Sequence, residues 1–473
     1  MTTGSNTLTR PDAALPPLPR SLGWALGSGT VLQGLNSAVV AVALIPIAVH
    51  FGSSGAIPWI VSGLYIAAAV GSPTGGRFAD LFGARRVYLV GLGIALAASL
   101  AGPFMPSVEA LVIDRVVLGL GTSLQFPAAM AIIRLAAART ERSPVGAIGV
   151  VALCGQTMAA LGPTIGGLLV VAFGWQGIFW VNLPIVLNSV IWVLVAVPKD
   201  EDRPRLRVLE TLRAIDPLGL VLFVAVLVLL MTGLLSLEGD PLWLLFAAAV
   251  PLAGLFVWRE LRAASPFVDV RLMVRHRQLG ITCLRAIVTF VSFYCIFYGL
   301  PQWLEESRGL DAAVTGFLMF PVFAVGVVST ILATRMGRRL APRTLLLIGT
   351  TGMVVGGGVL AVAVDAESPI WLLAVASGLL GVPNGFNNLG NQLILHGSVP
   401  EGSAGSASGV YRTSQYLGAA LSAVIVAHSV GTEFDAGGIH ALGAWIGGLG
   451  LLLLTFNIIA IVRGRRAGLG GAR

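Results

Sequence analysis

The sequence predicts an all-α integral membrane protein, and three observations predict it. First, 56% of the 473 residues are hydrophobic and only 11% are charged, with a mean hydropathy of +0.88, whereas soluble domains carry about a quarter charged residues. Second, apolar segments long enough to cross a bilayer, about 20 residues each, recur along the whole chain; we read fourteen of them. Third, the arginines sit in alternate connections. With the N-terminus inside, Arg77, Arg85, Arg86, Arg139, Arg142, Arg203, Arg205, Arg207, Arg338, Arg339, Arg463, Arg465 and Arg466 all fall inside, and of the outer loops only that of Arg308 carries one. This is the positive-inside pattern, so the expected place is a cell inner (cytoplasmic) membrane, crossed many times, with both termini cytoplasmic. The net charge of +8 reports that orientation and not a nucleic-acid partner.

Residues 1–20, with Pro11, Pro16, Pro17 and Pro19, are polar and proline-rich and are expected to form a disordered tail. The first span, from about Trp24 to Phe51, holds Gln33, Asn36 and Pro46; amides in mid-membrane either bridge helices or face a substrate path. The second span, from near Trp59, ends in GGRFADLFGARR, residues 75–86. Gly75 and Gly76 permit close helix contact and Gly83 breaks the chain. Asp80, at the helix end, can pair with loop arginines or with the positive N-terminus of an adjacent helix, a latch that must open when helices move.

After a third span, Val87 to Phe104, the fourth runs from Leu111 to Ile133 and carries Asp114 and Arg115 side by side in its first third. Ionised groups at that depth are costly unless they meet a partner or a wet cavity, so the pair either joins helices or carries function. Gly119 and Gly121 let a neighbour approach, and Pro127 weakens the lower half. In the fifth span, from Gly146, the residues Gly162, Pro163, Gly166 and Gly167 lie within two turns and predict a kink and tight packing. The sixth span, Trp180 to Val197, opens with Asn182 and Pro184. Residues Pro198 to Ala214, PKDEDRPRLRVLETLRA, read as a solvated connector. Two uncharged spans follow, Leu218 to Ser236 and Leu242 to Trp258, with the look of lipid-facing packing helices, then a second charged connector from Arg259 to Gln278.

The ninth span, Gly280 to Leu300, places Phe290, Tyr294 and Tyr298 at four-residue spacing beside Phe293 and Phe297. Such a stripe is either core packing or the wall of an aromatic cavity. Pro301, Glu305 and Glu306 follow at the outer end. After the span Val314 to Thr334, the run APRTLLLIGTTG from Ala341 repeats ARRVYLVGLGIA from Ala84, which points to two homologous halves. Beyond the span Leu345 to Val362, the twelfth, Trp371 to Ile394, carries Asn384, Asn387, Asn388 and Asn391 at i, i+3, i+4 and i+7, on one helical face. Four amides against lipid would be too costly, so this face meets protein or water. Arg412 and Gln415 are the polar groups of Ala404 to Ala427, and Ala441 to Val462 is the last span. Cys154, Cys283 and Cys295 lie in apolar segments without metal-ligand spacing and are expected as free thiols. His50, His276, His396, His428 and His440 are scattered, with no nucleophile or second ligand at motif spacing, so no enzyme, cofactor or metal site is expected.

These residues carry a family resemblance. The chain resembles the major facilitator superfamily and, within it, the fourteen-span drug:proton antiporters. Gly76, Asp80, Gly83, Arg85 and Arg86 match the superfamily's motif between spans two and three, with Ala84 where a basic residue is usual. Arg115, Gly119 and Gly121 match its fourth-span motif, and Gly162-Pro163-Thr164-Ile165-Gly166-Gly167 matches the antiporter signature of span five. GWQGIFWVNLPI and LPQWLEESRGLDAAVTGFLMFP resemble further segments, so the resemblance covers residues 30–425.

It implies a major facilitator fold with six-helix bundles at 21–198 and 279–463, two extra central helices among the charged connectors of 199–278, and a tail at 464–473. It also implies that spans 1, 4, 9 and 12 line a central cavity that brings together Asn36, Asp114, Arg115, Phe290, Tyr294 and the four asparagines; Gln33 and Arg412 are counted with them. Where many fourteen-span members begin with Leu-Asp, this chain has Leu35-Asn36, and Glu305 stands where the family often has Gln. Proton coupling then falls to Asp114 beside Arg115, with Glu305 as second choice. The implied activity is proton-coupled efflux of a drug-like or amphipathic small molecule by alternating access. The partners are that molecule, protons and the bilayer, and a monomer suffices. A metabolite importer or uniporter of the same fold is the alternative: the missing acid in span one favours it and the Gly162 to Gly167 run disfavours it. A non-transporting sensor leaves the amide-lined helix without a role.

Overall fold

The computed structural model describes residues 16–52, 57–200, 216–236, 242–263, 266–268, 270–275, 277–310, 312–399, 404–430 and 436–470. The first fifteen residues and most of the two charged connectors, with Arg203, Arg205, Arg207 and His276, lie outside them. In the first half α1 is Arg20–Phe51, α2 Ile57–Phe82, α3 Ala84–Ala101, α4 Val108–Ser123, α5 Gln125–Thr140, α6 Val145–Phe173, α7 Gly177–Trp180 and α8 Asn182–Ala196. A hairpin of α9, Pro217–Leu235, and α10, Trp243–Arg262, follows, and then the short α11, Val270–Arg275. The second half holds α12 Arg277–Tyr294, α13 Leu300–Arg308, α14 Ala312–Met336, α15 Pro342–Ala363, α16 Ile370–Ser398, α17 Ala404–Val430 and α18 Ala436–Gly470.

The protein is thus all-α and built for a bilayer. Among the described residues nine helices are long and apolar enough to cross a membrane, or ten when the bent α1 counts as one. The expected fourteen are not counted among those residues; Ile57–Phe82, Val145–Phe173 and Ala404–Val430 are further helices of 26, 29 and 27 residues. Large apolar side chains such as Val171, Val195, Leu244 and Val362 are more than three-quarters exposed, which is affordable only where acyl chains surround the helices.

Prolines shape the helices where the sequence places them. Between Val40 and Val42 α1 bends by 50°, one turn before Pro46, whose ring displaces the carbonyl four residues earlier. The fourth span is divided at Leu124 into α4 and α5, because Pro127 cannot donate to Ser123. Pro301 acts in the same way on the far side of the cavity, where Cys295–Gly299 relaxes into a π-helical turn between α12 and α13.

Small residues then set the spacing of helices. A Cβ on Gly119 would lie 2.7 Å from the Leu64 carbonyl of α2, and one on Gly121 2.7 Å from the Ala95 amide of α3, so α4 is gripped from two sides. Gly166 of α6 lies against Val39 of α1, with 3.0 Å between its would-be Cβ and the Val39 Cα, and Gly162 meets Ala38. The run from Gly162 to Gly167 therefore serves the α1–α6 seam, except that Gly167 has open space beside it. Pro163 lies within α6 with its side chain outside the described residues.

The first half has its own apolar core around Leu35, Val39, Ile47, Ile60, Leu111 and Phe179, and the second has one around Cys295, Trp303, Leu360, Leu380 and Ile446. The halves meet along α2 with α17 and α6 with α14. The α9–α10 hairpin packs across the first of these seams, where Leu227 and Met231 join Ala68 and Ala69 of α2 and Tyr416 of α17. Its base is tied by Arg259, whose Nη2 donates to Asp216 Oδ1 at 2.7 Å, and by the buried Glu260, which accepts from the Val268 amide at 2.9 Å.

Candidate functional site

Between the halves lies a cavity with about 1150 Å³ of atom-free space, the open solvent at its mouth included. The first half lines it with Gln33 and Ser37 of α1, Tyr65 and Ser72 of α2, Thr122 and Ser123 of α4, Phe126 of α5 and Gly155 of α6. The second half supplies Phe290, Phe293 and Tyr294 of α12, Phe297 of the π-turn, Asn384, Asn388 and Gln392 of α16, and Arg412, Gln415 and Tyr416 of α17. The aromatic stripe of the ninth span thus faces the cavity, with Phe293 stacked on Phe297 at 6.0 Å between ring centroids.

The polar wall is largely self-bonded. Thr122 Oγ1 donates to Gln33 Oε1 at 2.6 Å. Asn388 Oδ1 accepts from Gln392 at 2.9 Å, from the Tyr411 hydroxyl at 3.0 Å and from Gln415 at 3.5 Å. Arg412 Nη1 donates to Gln415 Oε1 at 2.7 Å, while its guanidinium lies 5.0 Å from the Phe126 ring and 5.6 Å from the Tyr416 ring.

Of the expected cavity residues, Gln33, Phe290, Tyr294, Asn384, Asn388 and Arg412 come together here. Others point elsewhere. Asn36 is fully buried in the first half: its Nδ2 donates to the Leu32 carbonyl at 2.9 Å and to Asn182 Oδ1 at 2.8 Å, and Asn182 donates back at 3.1 Å and to Ser99 at 3.0 Å. Asn36 therefore faces α8 and not the cavity. The asparagine face of α16 splits: Asn387 turns to α15, where its Nδ2 lies 3.4 Å from the Met353 sulfur, and Asn391 is buried away from the lining.

Asp114 and Arg115 also stand behind the wall. Arg115 is fully buried, donates through Nη2 to the Asn36 carbonyl at 2.9 Å and lies 5.8 Å from the Phe179 ring centroid. Its Nε and Nη1, and Asp114 Oδ2, have no hydrogen-bond partner in the protein. Glu305 belongs to α13, with its side chain outside the described residues. Several lining residues escaped the sequence reading as cavity groups, among them Tyr65, Phe126, Gln392 and Tyr416; for Gln392 a signal existed, since it extends the amide face one turn beyond Asn388.

The second feature is the closure at the end of the bundle where Arg85, Arg86, Arg338 and Arg339 lie. Asp80, at the end of α2, accepts from the backbone amides of Gly405 at 3.1 Å and Ser406 at 2.9 Å and from the Ser406 hydroxyl at 2.7 Å, so it caps the N-terminus of α17. Gly76 lets α2 approach this point: a Cβ there would lie 2.8 Å from the Ser406 Cα. Arg134 of α5 donates to the carbonyls of His396 and Val399 at the end of α16. At Gly83 the backbone turns with φ +103, a region that favours glycine. Arg85 and Arg86 begin α3, and their amides are capped by Asp200 at 3.1 and 2.9 Å. The Arg85 guanidinium holds the Leu194 carbonyl at 3.1 Å. The motif's glycines and acid therefore form the joint between halves, and its arginines brace the first half.

Comparison with known proteins agrees with this architecture. The family model described as Major Facilitator Superfamily matches residues 26–423. An uncharacterized MFS-type transporter, YwoD of Bacillus subtilis, is 32% identical over 442 residues, 93% of this chain and 97% of the relative. The lincomycin resistance protein of Streptomyces lincolnensis is 32% identical over 438 residues, 87% of this chain and 84% of its own length. Among solved structures, the MFS proton:xylose symporter XylE, bound to 6-bromo-6-deoxy-D-glucose, superposes with a TM-score of 0.60 at 15% identity, covering 93% of this chain and 95% of XylE.

Proposed function

The chain belongs to the major facilitator superfamily, a family of transporters and not enzymes, and from that premise we propose that it exports an amphipathic small molecule from the cytoplasm in exchange for protons. The observation that carries the reading is the cavity held jointly by both halves, with Asp80 and Arg134 joining the halves at the arginine-rich end and Thr413 donating to the Ala69 carbonyl at 2.8 Å deeper in the same seam. Breaking those bonds while the halves tilt about the cavity is the population shift that alternating access needs. The positive-inside pattern supports a cytoplasmic place for that end and for both termini. The lincomycin resistance relative and the Gly162 to Gly167 run support export over import.

For the coupling proton, Asp114 is the group of choice. It is a buried carboxyl one residue from the fully buried Arg115, and one of its oxygens has no partner in the protein. A proton there changes the charge of the α4 pair and, through the Arg115 bond to the Asn36 carbonyl, the hold of α4 on α1. The test is expression in a bacterial strain lacking its own drug exporters. At least one compound should become at least fourfold less inhibitory, and the same compound should drive proton release from everted vesicles. Asp114→Asn should abolish the proton release. Protection without proton movement, or full coupling in that variant, rejects the coupling assignment, and inward accumulation by whole cells rejects export.

A further inference from the structure

The cavity carries its charge on a single kind of group. Among the described residues that line it there is one arginine, Arg412, and no aspartate or glutamate. The Arg412 hydrogen bond goes to the neutral amide oxygen of Gln415, and its guanidinium carbon lies over the Phe126 and Tyr416 rings. What these contacts leave is the donor edge of a guanidinium, a fork that matches a carboxylate or sulfonate.

Other lining side chains, Ser37, Tyr65, Ser123 and Asn384 among them, carry hydroxyl or amide groups that can donate to a ligand. Asn388 Oδ1 already receives three donors. A cationic ligand would meet Arg412 with no acid among the described lining residues to offset it, whereas an anionic one gives the guanidinium an acceptor. Phe290, Phe293 and Phe297 add ring surface suited to an apolar body.

We propose that the cavity takes amphipathic organic anions, with a carboxylate or sulfonate on Arg412 and an aromatic or alicyclic body against α12. This rests on the reading of the cavity as the transport site. It is tested by equilibrium binding to the purified full-length protein in nanodiscs, using three radiolabelled naphthalenes of nearly equal shape: 2-naphthoate, 2-naphthylmethanol and 2-naphthylmethylammonium. The anion should bind at least tenfold more tightly than the cation. Arg412→Gln should erase that preference while keeping the affinity for the neutral alcohol, and Arg412→Lys should retain part of it. Gln415→Glu, which places a carboxylate against the guanidinium without removing it, should erase the preference too and serves if Arg412→Gln does not fold. Equal or tighter binding of the ammonium, a preference indifferent to both charge-neutralising variants, or no binding of the naphthoate overturns the proposal. The assay needs no transport. Protein that binds the naphthoate while vesicles fail to concentrate it sinks export and leaves the ligand class standing; vesicles that concentrate the ammonium and exclude the naphthoate do the reverse.

Discussion

Asp80 and Ser406 are joined twice across the two halves, through the Ser406 amide at 2.9 Å and its hydroxyl at 2.7 Å. An anion at a helix N-terminus is worth about 1 kcal/mol, up to about 2 when partly buried. Asp80→Asn keeps the size and one acceptor but loses the charge, so the ratio of open to closed arginine-rich ends should rise about fivefold for each 1 kcal/mol lost. Spin labels at the exposed Glu141 and Arg339, one in each half, read this as growth of the longer-distance population. An unchanged distance distribution in Asp80→Asn would mean that the cap does not bias the equilibrium.

The pairing of Asn36 with Asn182 bears on the missing acid of the first span. Restoring it as Asn36→Asp removes two donations, to the Leu32 carbonyl and to Asn182 Oδ1, and sets a carboxyl oxygen against an amide oxygen. The cost is about 1–3 kcal/mol for buried groups left unpaired. Thermal unfolding in detergent should show a drop of several degrees for Asn36→Asp, a similar drop for Asn182→Ala, and a double variant less destabilised than the sum. A variant as stable as the parent that gains a new pH dependence of transport would instead place this side chain in the proton path.

How much of this was legible can be judged residue by residue. The acid at the end of the second span had two possible partners on sequence grounds, loop arginines or a helix N-terminus, and Asp80 takes the second. The aromatic stripe had two meanings, and Phe290 and Tyr294 line the cavity. The phase of α16 was harder. At about 100° per residue, Asn384, Asn388 and Gln392 form a face rotated by about 50° from the centre of the four-asparagine stripe, and it is this rotated face that meets the lumen. Composition reveals that a helix has a polar side; only packing against α15, where Asn387 meets Met353, decides which part of that side is wet. The same holds for Asn36, whose partner lies 146 residues away, beyond the reach of any local pattern.

Arg115 offers a last prediction, because its bonding is poorer than a structural role would need. It is wholly buried, yet Nε and Nη1 have no partner in the protein and its one hydrogen bond goes to a carbonyl. Buried polar groups left open cost stability, and removing one member of a buried pair destabilises only while the other stays charged; without Arg115 the Asp114 carboxyl can take a proton and become neutral. Arg115→Met should therefore melt within a few degrees of the parent while transport in everted vesicles falls at least a hundredfold. Arg115→Lys should fall between them, since an ammonium cannot keep both the bond to the Asn36 carbonyl and the broad contact with Phe179. If instead Arg115→Met unfolds at much lower temperature and the surviving fraction transports normally, the arginine is a strut between α4 and α1, and the energetic cost of its open nitrogens must be explained by packing alone.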